Sequence, residues 1–277
     1  MTDLYAVIGQ PIAHSLSPHI HTLFAVQTQQ DLQYTRYLAT PETFGELLTD
    51  LAHKGYRGVN ITLPFKRMAF ELCHEKTPRS LAAGTVNTIC FEGIHDWRGD
   101  NTDGAGLIHD LTERHHCDLQ NKTVLIMGAG GASQGIIPSL LKHPLKKLVL
   151  TNRTLARAQD LAKTYAPLGP VESADWQTLN ALQVDVIIHT TSIGHEHSAH
   201  ASLPNLSPQP QAVCYDLSYG AAHQRFAVWA SALNPLWIAD GLGMLVEQAA
   251  ESFYLWRGIR PDNDSVLTSL RNQRSSS

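Results

Sequence analysis

The sequence predicts an α/β fold with two domains. Its length of 277 residues suggests about two domains by the usual domain size. Strand-like apolar runs alternate with helix-like segments, which is typical of mostly parallel sheets covered by helices. A buried apolar run at residues 124–127 ends in a glycine-rich turn, and a dinucleotide-binding βα unit begins in this way.

The first hundred residues alternate strands and helices. Strands are predicted at residues 5–9, 34–38 and 58–62, and further strands at residues 83–90 and beyond, around a turn at Gly93. One helix should begin with Ser17 as N-cap and Pro18 as its first residue, since both types are favoured there. A second helix is predicted at residues 41–54, and Pro64 should open a third.

The second half continues this alternation. A helix at residues 104–114 should join the two halves, and a last helix at residues 240–256 should pack back on the first domain. Strands are predicted at residues 124–127, 147–151, 184–189 and 213–217, with a proline-rich loop at 203–210. We therefore expect residues 1–103, completed by residues 241–277, to form one domain and residues 104–240 the other.

The glycine-rich turn suits a pyrophosphate. Gly128 permits a tight turn, Gly130 allows the backbone to approach an anion closely, and the following helix points its N–H groups at that anion. Ser133 stands where a third small residue is needed for close packing of helix and strand. Such a turn alone often only shapes the chain, but here a second strand follows at the distance of a crossover helix.

The end of that second strand predicts NADP as the cofactor. Asn152 stands where an NAD site carries a carboxylate for the ribose, and Arg153 beside it attracts a 2′-phosphate. Arg157 follows four residues later and faces the same way if a helix begins near Thr154. The alternative is a solvated basic helix start. We predict a Rossmann-type NADP-binding domain.

Composition excludes several classes of partner. The net charge of −4 gives no basic surface for nucleic acid, and no apolar run is long enough to cross a membrane. Four scattered cysteines indicate reduced thiols in a cytoplasmic protein. The cluster His195, His197 and His200 could bind a metal, but spacing alone supplies no closed ligand set, so we expect no metal site.

Polar groups in the first half form candidate substrate contacts at predicted strand ends. Ser15 and Ser17 precede a helix and suit a carboxylate or phosphate, although on local pattern alone a turn residue and an N-cap explain them better. Strand alternation puts Asn60 and Thr62 on one face. Lys66 follows in the first helical turn, where the helix dipole disfavours its ammonium form; the alternative is a surface lysine beside Arg67.

Two further polar residues complete the set. Asn87 follows a glycine at position 84, and Asp103 either caps a helix or orients a substrate hydroxyl and polarises Lys66. Amide, hydroxyl, ammonium and carboxylate groups together suit a small polyhydroxylated acid.

These motifs, in this order, resemble shikimate dehydrogenase. The matching segments run from Gly9 to about Trp256 and read GQPIAHSLSP, VNITLPFK, NTI, GDNTDG, GAGGAS, NRT and DGLGMLVEQA. The resemblance implies NADPH-dependent, reversible reduction of 3-dehydroshikimate to shikimate. It further implies that Lys66, paired with Asp103, is the acid/base residue, and that Ser15 and Ser17 bind the substrate carboxylate.

The resemblance also assigns the remaining site residues. Substrate hydroxyls would be held by Thr62, Asn87, Asp103 and Gln248, with Asn60 and Tyr219 also at the substrate. NADP would be held by Gly128, Ala129, Gly130, Gly131, Ala132, Asn152, Arg153, Thr154 and Arg157, with Leu217, Gly241 and Met244 lining the nicotinamide pocket. Thr85, Pro78 and His189 depart from the family pattern, so no side-chain role is predicted at 189.

Alternatives remain open at this point. A quinate or dual quinate/shikimate dehydrogenase is the nearest, and a non-catalytic NADP-binding regulator is more distant. A methylene-tetrahydrofolate dehydrogenase-like enzyme shares the two-domain plan in outline, but the paired serines and the run at residues 101–103 do not suit a folate. The expected partner is a small-molecule substrate. We expect the chain itself to be a monomer or a homodimer.

Overall fold

A computed structural model describes residues 2–191 and 203–275 of the chain. The chain divides into two compact units. The first comprises Met1–Leu107 with Leu245–Ser277, and the second comprises Ile108–Met244. Each unit is built on its own six-stranded sheet, counted over the described residues.

The first unit contains a mixed sheet in which three of the five strand pairs are parallel. Its strands are β1 (Asp3–Gly9), β2 (Leu32–Leu38), β3 (Tyr56–Ile61), β4 (Glu75–Lys76), β5 (Thr88–Phe91) and β6 (Trp97–Asp100). They lie in the order β2-β1-β3-β5-β6-β4. Since β5 is antiparallel to both neighbours, its first residue lies at the same sheet edge as the last residues of β1, β3 and β6.

Four helices connect these strands: α1 (Ser17–Thr28), α2 (Phe44–His53), α3 (Lys66–Leu72) and α4 (Pro78–Ala83). In α2 the apolar residues Phe44, Leu48 and Leu51 recur at helical spacing and are fully buried. They join a core cluster that includes Ile8 and Val59 from the central strands. Burying each such side chain contributes roughly 1.5–3 kcal/mol.

Two helix starts differ from the sequence prediction. Helix α1 has Leu16 as its N-cap, so Ser17 is its first helical residue and does not cap the helix. Helix α3 begins at Lys66, whereas Pro64 lies in the preceding turn after a cis peptide bond. The first correction frees the Ser17 hydroxyl from a capping role, and the second makes Lys66 the first residue of its helix.

Helix α5 (Asp103–His109) continues into a π-helical turn at Asp110–Arg114, so the predicted connecting helix is present with a change of pitch. The second unit then has an all-parallel sheet. Its strands are β7 (Thr123–Met127), β8 (Lys147–Thr151), β9 (Val171–Ser173), β10 (Val186–His189), β11 (Val213–Asp216) and β12 (Trp237–Ala239). Helices α6 (Gly131–Leu140), α7 (Leu155–Tyr165) and α8 (Ala221–Ser231) cover it.

The strand order of the second unit is β12-β11-β10-β7-β8-β9. The central strand β7 has the next strands along the chain, β8 and β9, on one side. The later strands, β10 to β12, lie on its other side, as in a Rossmann fold. All five residues of β7 are buried, as expected for a central strand covered on both faces. The carboxyl ends of β7 and β10 are neighbours at the point where the strand order reverses, where such folds bind ligands.

Two helices complete the chain, α9 (Leu242–Arg257) and α10 (Asn263–Ser275). Their residues from Leu245 onward belong to the first unit, as the packing of the predicted last helix required. Trp256 of α9 stacks on Tyr5 of β1 at 4.7 Å between ring centroids. Gly58 leaves room for this indole, since a Cβ there would lie 2.4 Å from the Trp256 Nε1 atom.

Candidate active site

Lys66 and Asp103 form a shielded ion pair in the first unit. The Lys66 Nζ and Asp103 Oδ2 atoms are 2.6 Å apart, with 15% and 6% of the two side chains exposed. The Asp103 N–H at the start of α5 donates to Asn101 Oδ1 at 3.1 Å, whereas the Asp103 carboxylate accepts the hydrogen bond from Lys66. The structure therefore rules out both a free surface lysine and an aspartate that only caps its helix.

Asn87 and Gln248 complete a polar cluster around this pair. Asn87 Nδ2 donates to Asp103 Oδ1 at 2.9 Å and to Gln248 Oε1 at 3.1 Å. Asn87 Oδ1 accepts the backbone N–H of Thr102 at 2.8 Å, which fixes the amide orientation. Asn87 precedes β5 instead of ending a strand, but the antiparallel direction of β5 still brings it to the edge where Lys66 and Asp103 lie.

Asn60 lies beneath the cluster. Its side chain accepts a hydrogen bond from the Tyr34 hydroxyl at 2.7 Å and donates to Ser252 Oγ at 3.0 Å and Thr88 Oγ1 at 3.1 Å. Only 6% of Asn60 is exposed. This placement favours a supporting role for Asn60 over the direct substrate contact predicted from the sequence.

Ser15, Ser17 and Thr62 lie in segments that meet at the same sheet edge. The Ser15 and Ser17 hydroxyl oxygens are 3.2 Å apart, and the Ser15 carbonyl accepts two hydrogen bonds from Arg36. A Cβ on Gly9 would lie 2.3 Å from the Thr62 methyl group, so glycine is required for the close approach of β1 to Thr62. Two paired hydroxyls near a guanidinium provide donors for an anionic group.

The glycine turn of the second unit has the geometry that a pyrophosphate requires. Gly128 has φ +133°, and a Cβ there would lie 2.1 Å from Thr190 Oγ1. A Cβ on Gly130 would meet no atom within 4 Å, which leaves open space at the start of α6. Ser133 is buried and bonds Thr190 Oγ1 at 2.7 Å, so the small residue allows the expected close packing. The accessible residues of the turn are Ala129, Gly130, Gly131 and Ala132.

The end of β8 carries two exposed arginines. Helix α7 has Thr154 as its N-cap, and Asn152 Nδ2 donates to the Thr154 carbonyl at 3.0 Å. Arg153 and Arg157 flank this cap and are both exposed. Neither forms an ion pair among the residues that the structure describes, so the basic pair fits a 2′-phosphate.

The segment after β11 packs tightly against the start of α9. A Cβ on Gly241 would lie 2.2 Å from the Leu217 carbonyl oxygen, and the Gly241 N–H donates to the Ser218 carbonyl at 2.9 Å. Leu217 and Tyr219 are half-buried, and Met244 is buried. Of the predicted nicotinamide-lining residues, Leu217 and Gly241 are therefore in contact within the second unit, and Met244 follows in the first turn of α9.

A buried network that the sequence analysis missed lies beside this segment. His189 Nδ1 and Asp216 Oδ1 are 2.9 Å apart, and His223 Nδ1 lies 3.0 Å from Asp216 Oδ2. Burial alone would raise the pKa of Asp216, but the hydrogen bonds from His189 and His223 hold that pKa below its usual value. The sequence offered a histidine at the end of the predicted strand 184–189 and an aspartate near the end of the predicted strand 213–217, but no sign that these strands pair.

The absence of metal sites and of membrane-spanning helices holds only for the residues that the structure describes. His195, His197 and His200 lie outside the described residues. Within the described ranges, no group of three or more metal-binding side chains forms a metal site, and no helix is long and apolar enough to cross a membrane. All four cysteines are described, and each is a free thiol, as the scattered spacing predicted.

These features define a class of enzyme. A Rossmann sheet with an open glycine turn and two exposed arginines can bind a phosphorylated dinucleotide. A shielded lysine–carboxylate pair among amides and hydroxyls can transfer a proton to a polar substrate. The class is an NADP-dependent oxidoreductase acting on a CH–OH group.

The chain belongs to the shikimate dehydrogenase family. Residues 7–89 match the family model of the shikimate dehydrogenase substrate binding domain. Residues 110–219 match shikimate / quinate 5-dehydrogenase, and residues 241–271 match the shikimate 5′-dehydrogenase C-terminal domain. The resemblance predicted from the motifs is confirmed.

Individual relatives agree along the whole chain. A shikimate dehydrogenase (NADP(+)) of Cellvibrio japonicus is 47% identical over 278 residues, covering 99% of this chain and 98% of the relative. The Ael1 enzyme from Pseudomonas putida is 35% identical with a TM-score of 0.83, covering 97% and 98%. Shikimate 5-dehydrogenase from Thermus thermophilus, solved with NADP(H) and shikimate, is 27% identical with a TM-score of 0.84, covering 98% and 99%.

Proposed function

We propose that this protein catalyses the reversible, NADPH-dependent reduction of 3-dehydroshikimate to shikimate. The observation that carries the proposal is the Lys66–Asp103 pair, bonded to Asn87 and joined by Gln248, in a family whose relatives are named for this activity. The intact pair also argues against a non-catalytic NADP-binding regulator.

The chemistry follows from the charge on the pair. The reduced nicotinamide supplies a hydride to the ring carbonyl carbon when it is bound. Lys66 donates a proton from Nζ to the carbonyl oxygen, so that oxygen becomes the new hydroxyl without carrying a free negative charge. Asp103 holds the Lys66 ammonium at 2.6 Å and accepts a hydrogen bond from a substrate hydroxyl. In the reverse direction neutral Lys66 takes up the same proton.

Substrate recognition uses the remaining polar groups of the first unit. Ser15 and Ser17 hold the carboxylate: the Ser15 hydroxyl donates to Ser17 Oγ at 3.2 Å, which leaves the Ser17 O–H to donate to an anion. Thr62, Asn87 and Gln248 bind ring hydroxyls. Asn60 orients Asn87 from beneath by donating to the Asn87 carbonyl at 3.2 Å.

The second unit holds the cofactor. The turn from Gly128 to Ala132 binds the pyrophosphate, since its open glycine and the α6 N-terminus offer N–H groups. Arg153 and Arg157 bind the 2′-phosphate, with Asn152 and Thr154 beside the adenosine. Leu217, Gly241 and Met244 line the nicotinamide. Residues 1–107 with 245–277 thus serve the substrate, and residues 108–244 the cofactor.

The test is a set of four assays on the purified protein. Shikimate or quinate is offered with NADP⁺ or NAD⁺, and reduced nicotinamide is followed by its absorbance. We expect the highest kcat/KM for shikimate with NADP⁺. Comparable turnover of quinate would identify a dual enzyme, and no turnover of shikimate with NADP⁺ would refute the proposal.

The setting of the enzyme is also proposed. Free thiols and a modest negative charge support a cytoplasmic protein without nucleic-acid partners. We propose that it is a monomer or a homodimer, and light scattering after size-exclusion chromatography distinguishes the two.

A further inference from the structure

The buried network His189–Asp216–His223 occupies the carboxyl ends of two neighbouring strands of the second unit. His189 ends β10, Asp216 ends β11, and the parallel register pairs these two residues directly. Both are fully buried, whereas the His223 side chain is 17% exposed. The His189 ring also stacks on Phe226 at 5.0 Å with an interplanar angle of 6°.

The hydrogen-bond directions in this network follow from chemistry. An ionised carboxylate only accepts, so both histidines donate their Nδ1–H to Asp216. The other ring nitrogen of His189, Nε2, forms a hydrogen bond with the Thr191 hydroxyl, where the two atoms are 2.5 Å apart. One buried carboxylate thereby fixes the orientation of two imidazoles and, through His189, of Thr191.

The same groups fasten the backbone that follows β11. The Ser218 N–H donates to Asp216 Oδ1 at 3.0 Å, and the Leu217 N–H donates to the His189 carbonyl at 2.9 Å. The Ser218 carbonyl in turn accepts from Gly241. The network therefore sets the position of Leu217, which the proposed function places against the nicotinamide.

We infer that His189, acting through Asp216, is a positioning residue for the nicotinamide half of the cofactor. This inference rests on the proposed function. The groups proposed for the rest of NADP lie outside the network: the glycine turn follows the neighbouring strand β7 and contacts Thr190, and the arginines follow β8. Loss of the network should therefore weaken contacts to nicotinamide and leave contacts to the phosphates and adenosine unchanged.

Two ligands that differ only in nicotinamide test this directly. The dissociation constants of NADP⁺ and of 2′-phospho-ADP-ribose are measured by calorimetry for the wild type and for H189L, which keeps apolar packing against Phe226 but cannot donate. We expect H189L to weaken NADP⁺ binding about tenfold and 2′-phospho-ADP-ribose binding less than twofold. H189N, whose amide can replace the Nδ1–H donor, should restore NADP⁺ binding to within about threefold of wild type.

Steady-state kinetics give a second readout. The KM for NADP⁺ should rise in H189L while the KM for shikimate stays unchanged. Equal weakening of both ligands, or no weakening of either, would overturn the inference. If H189L does not fold, H223L at the more exposed end of the network replaces it under the same criteria. A wild type that binds neither ligand would refute the proposed function itself, which keeps the two failures distinct.

Discussion

Replacing Lys66 by methionine removes the proposed proton donor while keeping a side chain of similar length. Lys66 contacts Asp103 at 2.6 Å and is only 15% exposed, so no bulk water replaces it directly at that position. Methionine cannot carry a proton and cannot compensate the Asp103 charge. The substitution therefore separates proton transfer from the packing of the site.

The expected magnitude has a catalytic and a structural part. Loss of a general acid/base typically lowers the rate by about 10²–10⁴, which corresponds to roughly 3–5 kcal/mol in the barrier. The Asp103 carboxylate keeps its hydrogen bond from Asn87 at 2.9 Å but loses its ion partner, which costs about 1–3 kcal/mol of folding free energy. A domain stable by about 5–15 kcal/mol stays folded after such a loss.

The assay compares K66M with R67A. Arg67 is the next residue, 76% exposed, and its contact to Glu71 is a single surface pair at 3.6 Å. Such a pair contributes at most about 1 kcal/mol, so R67A should retain wild-type kcat and melting temperature. K66M should lose about 10²–10⁴ in kcat with shikimate and NADP⁺, and calorimetry should still detect shikimate binding. A folded K66M with near-normal kcat would refute the acid/base assignment.

Three further predictions concern stability and cofactor choice. Burial lowers the pKa of His21 from 6.5 to about 3, so the native state loses stability as the pH falls below about 6.5; between pH 7 and pH 5 the loss is about 2 kcal/mol. Urea titrations at both pH values should show that H21F removes this loss, and an equal loss in H21F would contradict it. R79K breaks the bidentate pair with buried Asp100, and thermal melts should show about 2–4 kcal/mol of destabilisation, whereas an unchanged Tm would argue against the pair. Replacing both Arg153 and Arg157 by alanine should raise the KM for NADP⁺ at least tenfold and leave that for NAD⁺ unchanged; equal changes would exclude the 2′-phosphate role.

The fold was largely predictable because its central strands are long and apolar. The predicted strand at residues 147–151 matches β8, and the run before Gly128 matches the buried end of β7. The missed elements are the edge strands β4, β9 and β12, which have only two or three residues, and the helices α4, α8 and α10. Short edges and weakly amphipathic helices give little periodic signal, since tertiary packing determines them.

The candidate site was predictable in its residues but not in its geometry. The motif order identified Lys66, Asn87 and Asp103, yet only the structure shows that Asn101 accepts the Asp103 N–H while the Asp103 carboxylate bonds Lys66. The network of His189 was hidden because its partner Asp216 lies 27 positions away along the chain, in a contact that depends on parallel register. The local sequence pattern does not show which strands are neighbours, so it cannot predict that the ends of β10 and β11 bring His189 and Asp216 together.

The central claim is that this chain transfers a hydride between NADP and the shikimate ring. NADPH carrying deuterium at nicotinamide C4, on the face that the enzyme uses, is mixed with 3-dehydroshikimate and the protein, and the product is analysed by mass spectrometry and NMR. We predict shikimate that contains one deuterium at the carbon bearing the new hydroxyl. Shikimate without deuterium from either face-labelled NADPH, or no shikimate at all, would contradict the account.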